Sequence, residues 1–415
     1  MPKFTVLGGS SIAVPELVSA LIPHIHSGRT MHITLHGRDE HKLALVGKVC
    51  QQMASAIEGL TVETTANLEA ALTGADYVLN QVRVGGLEAR AYDETFPHRW
   101  GIPGEETVGP GGAANALRSV PVVLKLAREM EQVAPNALLL TFSNPSSVVQ
   151  RALTTSTKLE VIGLCDAPYT MHRLVAQSLG AELDEVETQY VGMHHFGWIT
   201  SAKLNGADRL PDVLADDTVL KTLGLEPEIG QRLGVIPHPY FRYFYHPDRM
   251  LKKQQAAPQP RARELQAMEA NLLEVYANYS GIQKPEALTK RSAIWYEAVV
   301  VPVIAGLAFN VPARLAVNLT NNGLIAGVPD DTIVEVTSDI TNGQIVPRKP
   351  SSLPPDALVR LQANAAYERL LVQAILEESP ETLLRAFLFN PLIPSYDVAK
   401  EIVAEVWAHE MQARV

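Results

Sequence analysis

Cys165 stands in Gly163-Leu164-Cys165-Asp166-Ala167-Pro168, directly after an apolar, strand-like stretch. Thirty positions further on, His195 lies in Gly192-Met193-His194-His195-Phe196-Gly197-Trp198. A thiolate and an imidazole are the donors of a borderline-soft metal ion, with water or substrate oxygens completing the shell. Taken alone, a cysteine at a strand end is more often buried and inert, and a histidine pair is usually structural. Gly8-Gly9-Ser10-Ser11 ends the first strand-like run. Glycines there permit positive φ and let backbone N–H groups approach a pyrophosphate at a helix N-terminus. The full G-x-G-x-x-G pattern is absent, so a plain strand-to-helix turn competes with the dinucleotide reading. After the second strand-like run comes Leu35-His36-Gly37-Arg38-Asp39. Arg38 is either a contact for a 2′-phosphate or a solvated side chain, which leaves NAD and NADP both open. Cys50 falls inside a helical stretch and reads as packing. His24, His26, His32, His36 and His41 read as surface or helix-flanking residues.

The elements that must position these groups alternate through the first half. Strands are expected over 3–7, 31–35, 61–64, 77–82, 137–142 and 158–164. Helices are expected to start at 15–21 and to run over 39–57, 68–72 and 113–133, with a glycine-rich loop at 101–112. Such alternation implies a parallel sheet with right-handed crossovers and helices on both faces. Strands at 190–200 and 201–204 open the second half. Long helices over 262–279, 291–308 and 356–388 then dominate it, with a β-type interlude at 332–346. Proline-rich links are read at 258–260 and 347–355. The domain expectation is an α/β unit over 1–165 followed by an α+β unit over 166–415.

Composition excludes several classes. The 415 residues carry 35 Lys+Arg against 45 Asp+Glu, a formal charge of −10, and 47% are hydrophobic. Disorder as the dominant state is excluded, and an acidic chain attracts neither nucleic acid nor an anionic membrane. The apolar run 298–309 is too short to span a bilayer and contains Pro302. The N-terminus, Met1-Pro2-Lys3, runs straight into a strand-like segment and does not read as a signal peptide. Two cysteines cannot make a disulfide scaffold, and a reducing cytoplasmic location is expected.

Nine motifs in order resemble the glycoside hydrolases of family 4, most of all their 6-phospho-glycosidase branch. They are Gly8-Gly9-Ser10-Ser11, Arg83-Val84-Gly85-Gly86-Leu87-Glu88-Ala89-Arg90 with Asp93-Glu94, Gly104-Glu105-Glu106-Thr107-Val108-Gly109, and Ser143-Asn144-Pro145-Ser146. The series continues with Gly163-Leu164-Cys165-Asp166, Gly192-Met193-His194-His195 and Pro239-Tyr240-Phe241-Arg242-Tyr243. Arg261-Ala262-Arg263-Glu264 and Asn318-Leu319-Thr320-Asn321-Asn322-Gly323 close it. The resemblance implies a Rossmann-like parallel sheet of the lactate and malate dehydrogenase type, followed by an α+β catalytic domain. It implies NAD, for which Gly8, Gly9, Ser10, Ser11 and Arg38, read above from the residues, are the candidates, and a divalent metal, usually manganese, held by Cys165 and His195. Tyr240 matches the family's catalytic base. Asn144 matches a sugar-hydroxyl contact, and Arg90, Arg261 and Arg263 fall around the substrate's anionic end. His194 replaces an Asn of the family pattern at a substrate contact. Asp166 resembles the α-specific branch, whereas chain length and the 239–245 region resemble the β-specific one.

The chemistry so implied departs from the two-carboxylate route of most glycosidases. Oxidation of the sugar at C3 by NAD acidifies the C2 proton, and a metal bridging the C2 and C3 oxygens acts as a Lewis acid. Tyr240 would abstract that proton. An ordinary tyrosine titrates at about 10, so it needs electropositive surroundings, for which the metal and Arg242 are candidates. Asp166 would protonate the leaving oxygen; water then adds at C1 and the hydride returns to C3. Two alternatives stay open: the same mechanism on a non-phosphorylated or uronate glycoside, and a net NAD-dependent dehydrogenase. In the latter, His195 would accept a proton and Arg90 would clamp a carboxylate. A small glycoside is the expected partner, and the long apolar helices point to a homodimer or homotetramer.

Overall fold

The computed structural model describes residues 1–25, 28–291 and 293–412, so His26 lies outside the described residues. Among the described residues a 13-stranded sheet runs through the molecule. Its parallel half comprises β1 (Lys3–Leu7), β2 (Met31–His36), β3 (Leu60–Thr65), β4 (Tyr77–Asn80), β5 (Leu138–Thr141) and β6 (Val161–Gly163). These lie in the order β3-β2-β1-β4-β5-β6 and every neighbouring pair is parallel. The order reverses between β1 and β4. Ligands of such sheets bind at that switch point, outside the carboxyl ends of the strands.

The second half extends the same sheet with antiparallel strands. These are β7 (Val186–Met193), β8 (Phe196–Leu204), β9 (Ala207–Asp208), β10 (Ile236–Pro237), β11 (Ala313–Thr320), β12 (Ile333–Thr341) and β13 (Gln344–Pro347). β11 joins β6 through Asn318 opposite Gly163, and β12 joins β7 through Glu335 opposite Gly192. The architecture is therefore a Rossmann-type parallel sheet continued by an α+β part.

Helices cover both faces. Those of the first half are α1 (Val14–Ile25), α2 (Glu40–Ser55), α3 (Leu68–Leu72), α4 (Gly86–Thr95), α5 (Gly109–Val133), α6 (Ser146–Ser156) and α7 (Ala167–Ser178). One core unites β1 and β2 with α1, α2 and residues from 272 to 304, including Phe4, Leu17 and Tyr276. A second joins α5 and α6 to the three C-terminal helices at 355–376, 380–387 and 396–412. The halves thus share cores rather than packing separately.

Several expectations need correction. The strand expected over 190–200 is interrupted: β7 and β8 form a hairpin whose turn is His194-His195. His195 has φ 59°, and Gly192 faces Gly197 so closely that a Cβ on it would lie 2.2 Å from the Gly197 Cα. The helix expected from 113 begins at Gly109, with Pro110 in its first turn. Gly111 and Gly112 there serve close packing: a Cβ on Gly111 would lie 2.3 Å from the Glu105 carbonyl oxygen. The helix expected over 356–388 breaks at Ser379-Pro380, where the Ser379 side chain caps a new helix by accepting from the Thr382 N–H. The one expected over 291–308 is a π-turn, Tyr296–Val300, followed by a helix over Val301–Phe309. β11 escapes the sequence reading altogether. His36, read with the other histidines as surface or helix-flanking, is buried at the end of β2.

Candidate active site

The carboxyl ends of the parallel strands deliver the predicted residues. Gly8 follows β1, Arg38 follows β2, Arg83 follows β4, Asn144 follows β5 and Cys165 follows β6. At the glycine turn the N–H groups of Gly8 and Gly9 both donate to the His36 carbonyl, at 3.1 and 2.7 Å. Gly8 has φ +91°, and a Cβ on Gly9 would lie 2.8 Å from the His36 nitrogen. These two glycines therefore tie the turn to β2, and Ser10 and Ser11 lead from it towards α1. Arg38 is exposed, and Asp39 beside it caps α2, its carboxylate accepting from the Lys42 N–H at 3.0 Å.

Cys165, His194 and His195 come together: a ligand atom from each lies within 4.8 Å of the others, and all three are buried. Two imidazoles and a thiol suit a borderline transition ion, and three protein donors leave positions open for substrate oxygens. Burial lowers both imidazoles, His194 to about 3, so each ring is in the neutral form that binds metal. Burial, followed by the Glu335 and Asp166 carboxyls, pushes the Cys165 thiol up. A divalent cation reverses that preference by taking the thiolate as ligand. His194, expected as a substrate contact, is thus placed with the two expected metal ligands. Its ring stacks on that of His195 with centroids 3.8 Å apart.

Tyr240 lies just before the short helix Phe241–Tyr245. Its ring stacks on the other histidine, centroid 3.8 Å from that of His195 and tilted by 23°. The hydroxyl donates to Oε1 of Glu105 at 3.3 Å. Burial, Glu105 and Tyr243 all push the phenol upwards. The fully buried His238 supports this arrangement, its Nδ1 accepting from the Tyr240 N–H at 3.1 Å. Asp166 occupies the N-cap position of α7, yet its side chain makes no capping hydrogen bond. Burial raises its carboxyl.

The arginines sort into two sets. Arg90 pairs with Glu94 at 2.7 Å and with Glu106 at 3.1 Å, and Glu106 also pairs with Arg83. Burial opposes charge on Glu106, but the Arg83 and Arg90 guanidiniums outweigh it and hold the carboxyl below its usual range. Arg291 is lowered by burial and then by Arg90, Arg261 and Arg83, which places four guanidiniums in one electrostatic neighbourhood. Arg261 and Arg263 are both exposed, Arg261 paired with Glu264 of its own helix and Arg263 with Glu88 of α4. Asn144 sits beside Glu106, and its carbonyl accepts from Asn115 Nδ2 at 3.1 Å.

The sequence assigns no role to Arg83, Glu105, Thr107, His238 or Arg291. The Thr107 hydroxyl lies 2.9 Å from Nδ1 of His195, and Glu105 binds both Thr107 and Tyr240. Glu105, Glu106 and Thr107 belong to the Gly104–Gly109 motif, and that motif is the signal the sequence carries for them. Its position depends on Gly104, where a Cβ would lie 2.1 Å from the Glu94 carbonyl oxygen.

A model of the family 4 glycosyl hydrolases matches residues 3–181, and one of that family's C-terminal domain matches residues 190–393. A Bacillus subtilis (strain 168) protein named "Probable 6-phospho-beta-glucosidase" is 33% identical over 97% of this chain and 95% of its own length. A maltose-6′-phosphate glucosidase of the same organism is 27% identical over 97% of this chain and 94% of its own. The 6-phospho-beta-glucosidase of Thermotoga maritima, solved with manganese, NAD+ and glucose-6-phosphate, superposes with a TM-score of 0.90 at 28% identity. That match covers 99% of each chain.

Proposed function

The chain belongs to family 4 of the glycosyl hydrolases, and we propose that it hydrolyses 6-phosphoglucosides with NAD and a divalent metal, manganese in the first instance, as required cofactors. The observation that carries this reading is the stacking of Tyr240 on His195 beside Cys165, a proton acceptor against a metal-donor set. The relatives named for 6-phosphoglucosides, and the Thermotoga structure with manganese, NAD+ and glucose-6-phosphate, support it. When bound, NAD would exchange a hydride with the sugar's C3 and the metal would polarise the C2 and C3 oxygens as a Lewis acid.

In this reading the metal is held by Cys165 and His195, with His194 as a third donor. Residues 1–165 bind the dinucleotide along the ends of β1, β2 and β4. Gly8 and Gly9 shape the turn, Ser10 and Ser11 face the pyrophosphate, and Arg38 borders the adenosine ribose. Residues 166–415 supply the base and most of the metal donors. Tyr240 takes the C2 proton, and Asp166, raised by burial, delivers one to the leaving oxygen. Asn144 contacts sugar hydroxyls. Arg90, Arg261, Arg83 and Arg291 concentrate positive charge for the phosphate, and Arg263 stands at the rim, held by Glu88.

Relatives named for both anomers resemble the chain, so the test is a panel of aryl glucosides, α and β, with and without a 6-phosphate, assayed with NAD+ and Mn2+. A uronate glycoside is included. Cleavage is expected only for 6-phosphorylated members and only with both cofactors. Cleavage restricted to unphosphorylated or uronate members, or of none, would overturn the assignment.

A further inference from the structure

Glu105 is 7% exposed and lies against the proposed base. Its two oxygens are used differently. Oε2 accepts from the N–H groups of Thr107 and Val108, at 2.5 and 3.2 Å, and from the Thr107 hydroxyl. Oε1 is left to the Tyr240 hydroxyl at 3.3 Å. Thr107 in turn touches His195 Nδ1, so one residue fixes both the carboxylate and a metal-donor ring. The loop has no freedom to drift, because Gly104 and Gly111 pack it against backbone on either side.

We propose that Glu105 acts through Tyr240 as the far end of a proton relay. The proposal rests on Tyr240 being the base. As the C2–H bond breaks, its proton goes to the Tyr240 Oη and the phenolic proton passes to Glu105 Oε1. The electron pair of the C2–H bond stays on the sugar and expels the leaving oxygen, which takes its proton from Asp166. Glu105 ends as a neutral acid and Tyr240 as a phenol; no oxidant is consumed in this step.

The groups facing Glu105 fit that role. Burial and then Glu106 push its carboxyl up to about 7, while Thr107 and Arg90 oppose the shift. Tyr240 and Tyr243 face it from the 240–245 segment. An acceptor with that value exchanges a proton readily near neutrality.

Glu105→Gln is the discriminating variant, because its amide oxygen can still cap the 107–108 N–H groups but cannot take a proton. In the enzyme with NAD+ and Mn2+, we expect exchange of the substrate C2 hydrogen with deuterated solvent to fall by roughly 100-fold or more. KM and Mn2+ binding should stay within a few-fold. The loss of kcat as pH falls through about 7, present in the parent, should be absent. Glu105→Asp, which keeps a carboxyl, should retain that acid limb, and tests the idea even if the Gln variant folds poorly. Parental exchange and an unchanged acid limb in Glu105→Gln would overturn the relay. Tyr240→Phe separates the two claims. Normal exchange in that variant removes the base assignment itself, whereas lost exchange there with normal exchange in Glu105→Gln removes only the relay.

Discussion

Burial makes charge costly at Cys165, His194, His195 and Tyr240 alike, and a cation among the three donors would turn those separate penalties into one binding site. Cys165→Ser keeps the size but loses the soft thiolate. Its Mn2+ affinity, followed by electron paramagnetic resonance, should fall by more than about 100-fold; unchanged affinity would remove the cysteine from the site. Tyr240→Phe keeps the stacking on His195 and should slow C2 exchange by about 10²- to 10⁴-fold, as seen by NMR of the sugar in deuterated buffer. At this scale the sequence was informative where chemistry is written into residue type. A cysteine at a strand end and a histidine pair are ambiguous alone, and the ordered motifs of the family resemblance single them out. Glu105 and Thr107 were not, since their meaning depends on a loop pinned by backbone contacts to Gly104 and Gly111, which no spacing encodes.

At the scale of elements, two features carry consequences. The glycine turn is packed against β2, so Gly9→Ala forces its methyl into the His36 backbone; NAD+ affinity measured by calorimetry should drop clearly, with the fold retained. The C-terminal helix Tyr396–Gln412 is anchored through Glu410, which shares Arg118 of α5 with Asp93 of α4, each at 2.6 Å. Two buried carboxylates on one guanidinium favour a proton on one of them. Burial outweighs Arg118 and raises Asp93 to about 8. The native chain therefore holds a proton that the unfolded chain releases. The Asp93 contribution is most favourable below the unfolded value of about 4 and is lost as pH rises towards 8. Urea unfolding at pH 5 and pH 8 should show that decline, and Asp93→Asn should flatten it. Arg118→Ala strands both carboxylates and should cost about 3–5 kcal/mol. The parallel strands were legible because short β-branched and aliphatic runs alternate with helical periods. The 355–376 and 380–387 helices merge in the sequence because apolar periodicity runs across Pro380; β11 goes unread although Leu315, Val317 and Leu319 alternate with Arg314, Ala316 and Asn318.

The whole molecule is acidic, with a formal charge of −10, yet the guanidiniums of Arg83, Arg90, Arg261 and Arg291 share one electrostatic neighbourhood, Arg83, Arg90 and Arg261 each paired there with a glutamate. Net charge speaks to bulk partners and is silent about the substrate of one cleft. Among the described residues no helix is long and apolar enough to cross a membrane. Leu388 and Phe389, in the turn after the 380–387 helix, and Tyr396, at the start of the next helix, are exposed apolar side chains, and we propose that they contribute to the homodimer or homotetramer expected from the sequence. Light scattering should return two or four chain masses. The parallel sheet was foreseeable from alternation and its Rossmann-like type from the family resemblance, whereas the single sheet uniting both halves was not, because the β6–β11 pairing joins strands distant in sequence. The central claim is hydrolysis in which the dinucleotide is used and restored within each turnover. The direct test is a nitrophenyl 6-phosphoglucoside assay with Mn2+ and NAD+ at the enzyme's own concentration, following nitrophenol and NADH absorbance together. The account predicts many nitrophenol molecules released per dinucleotide with no growth of NADH. NADH rising mole for mole with substrate consumed would contradict it and identify a net dehydrogenase instead.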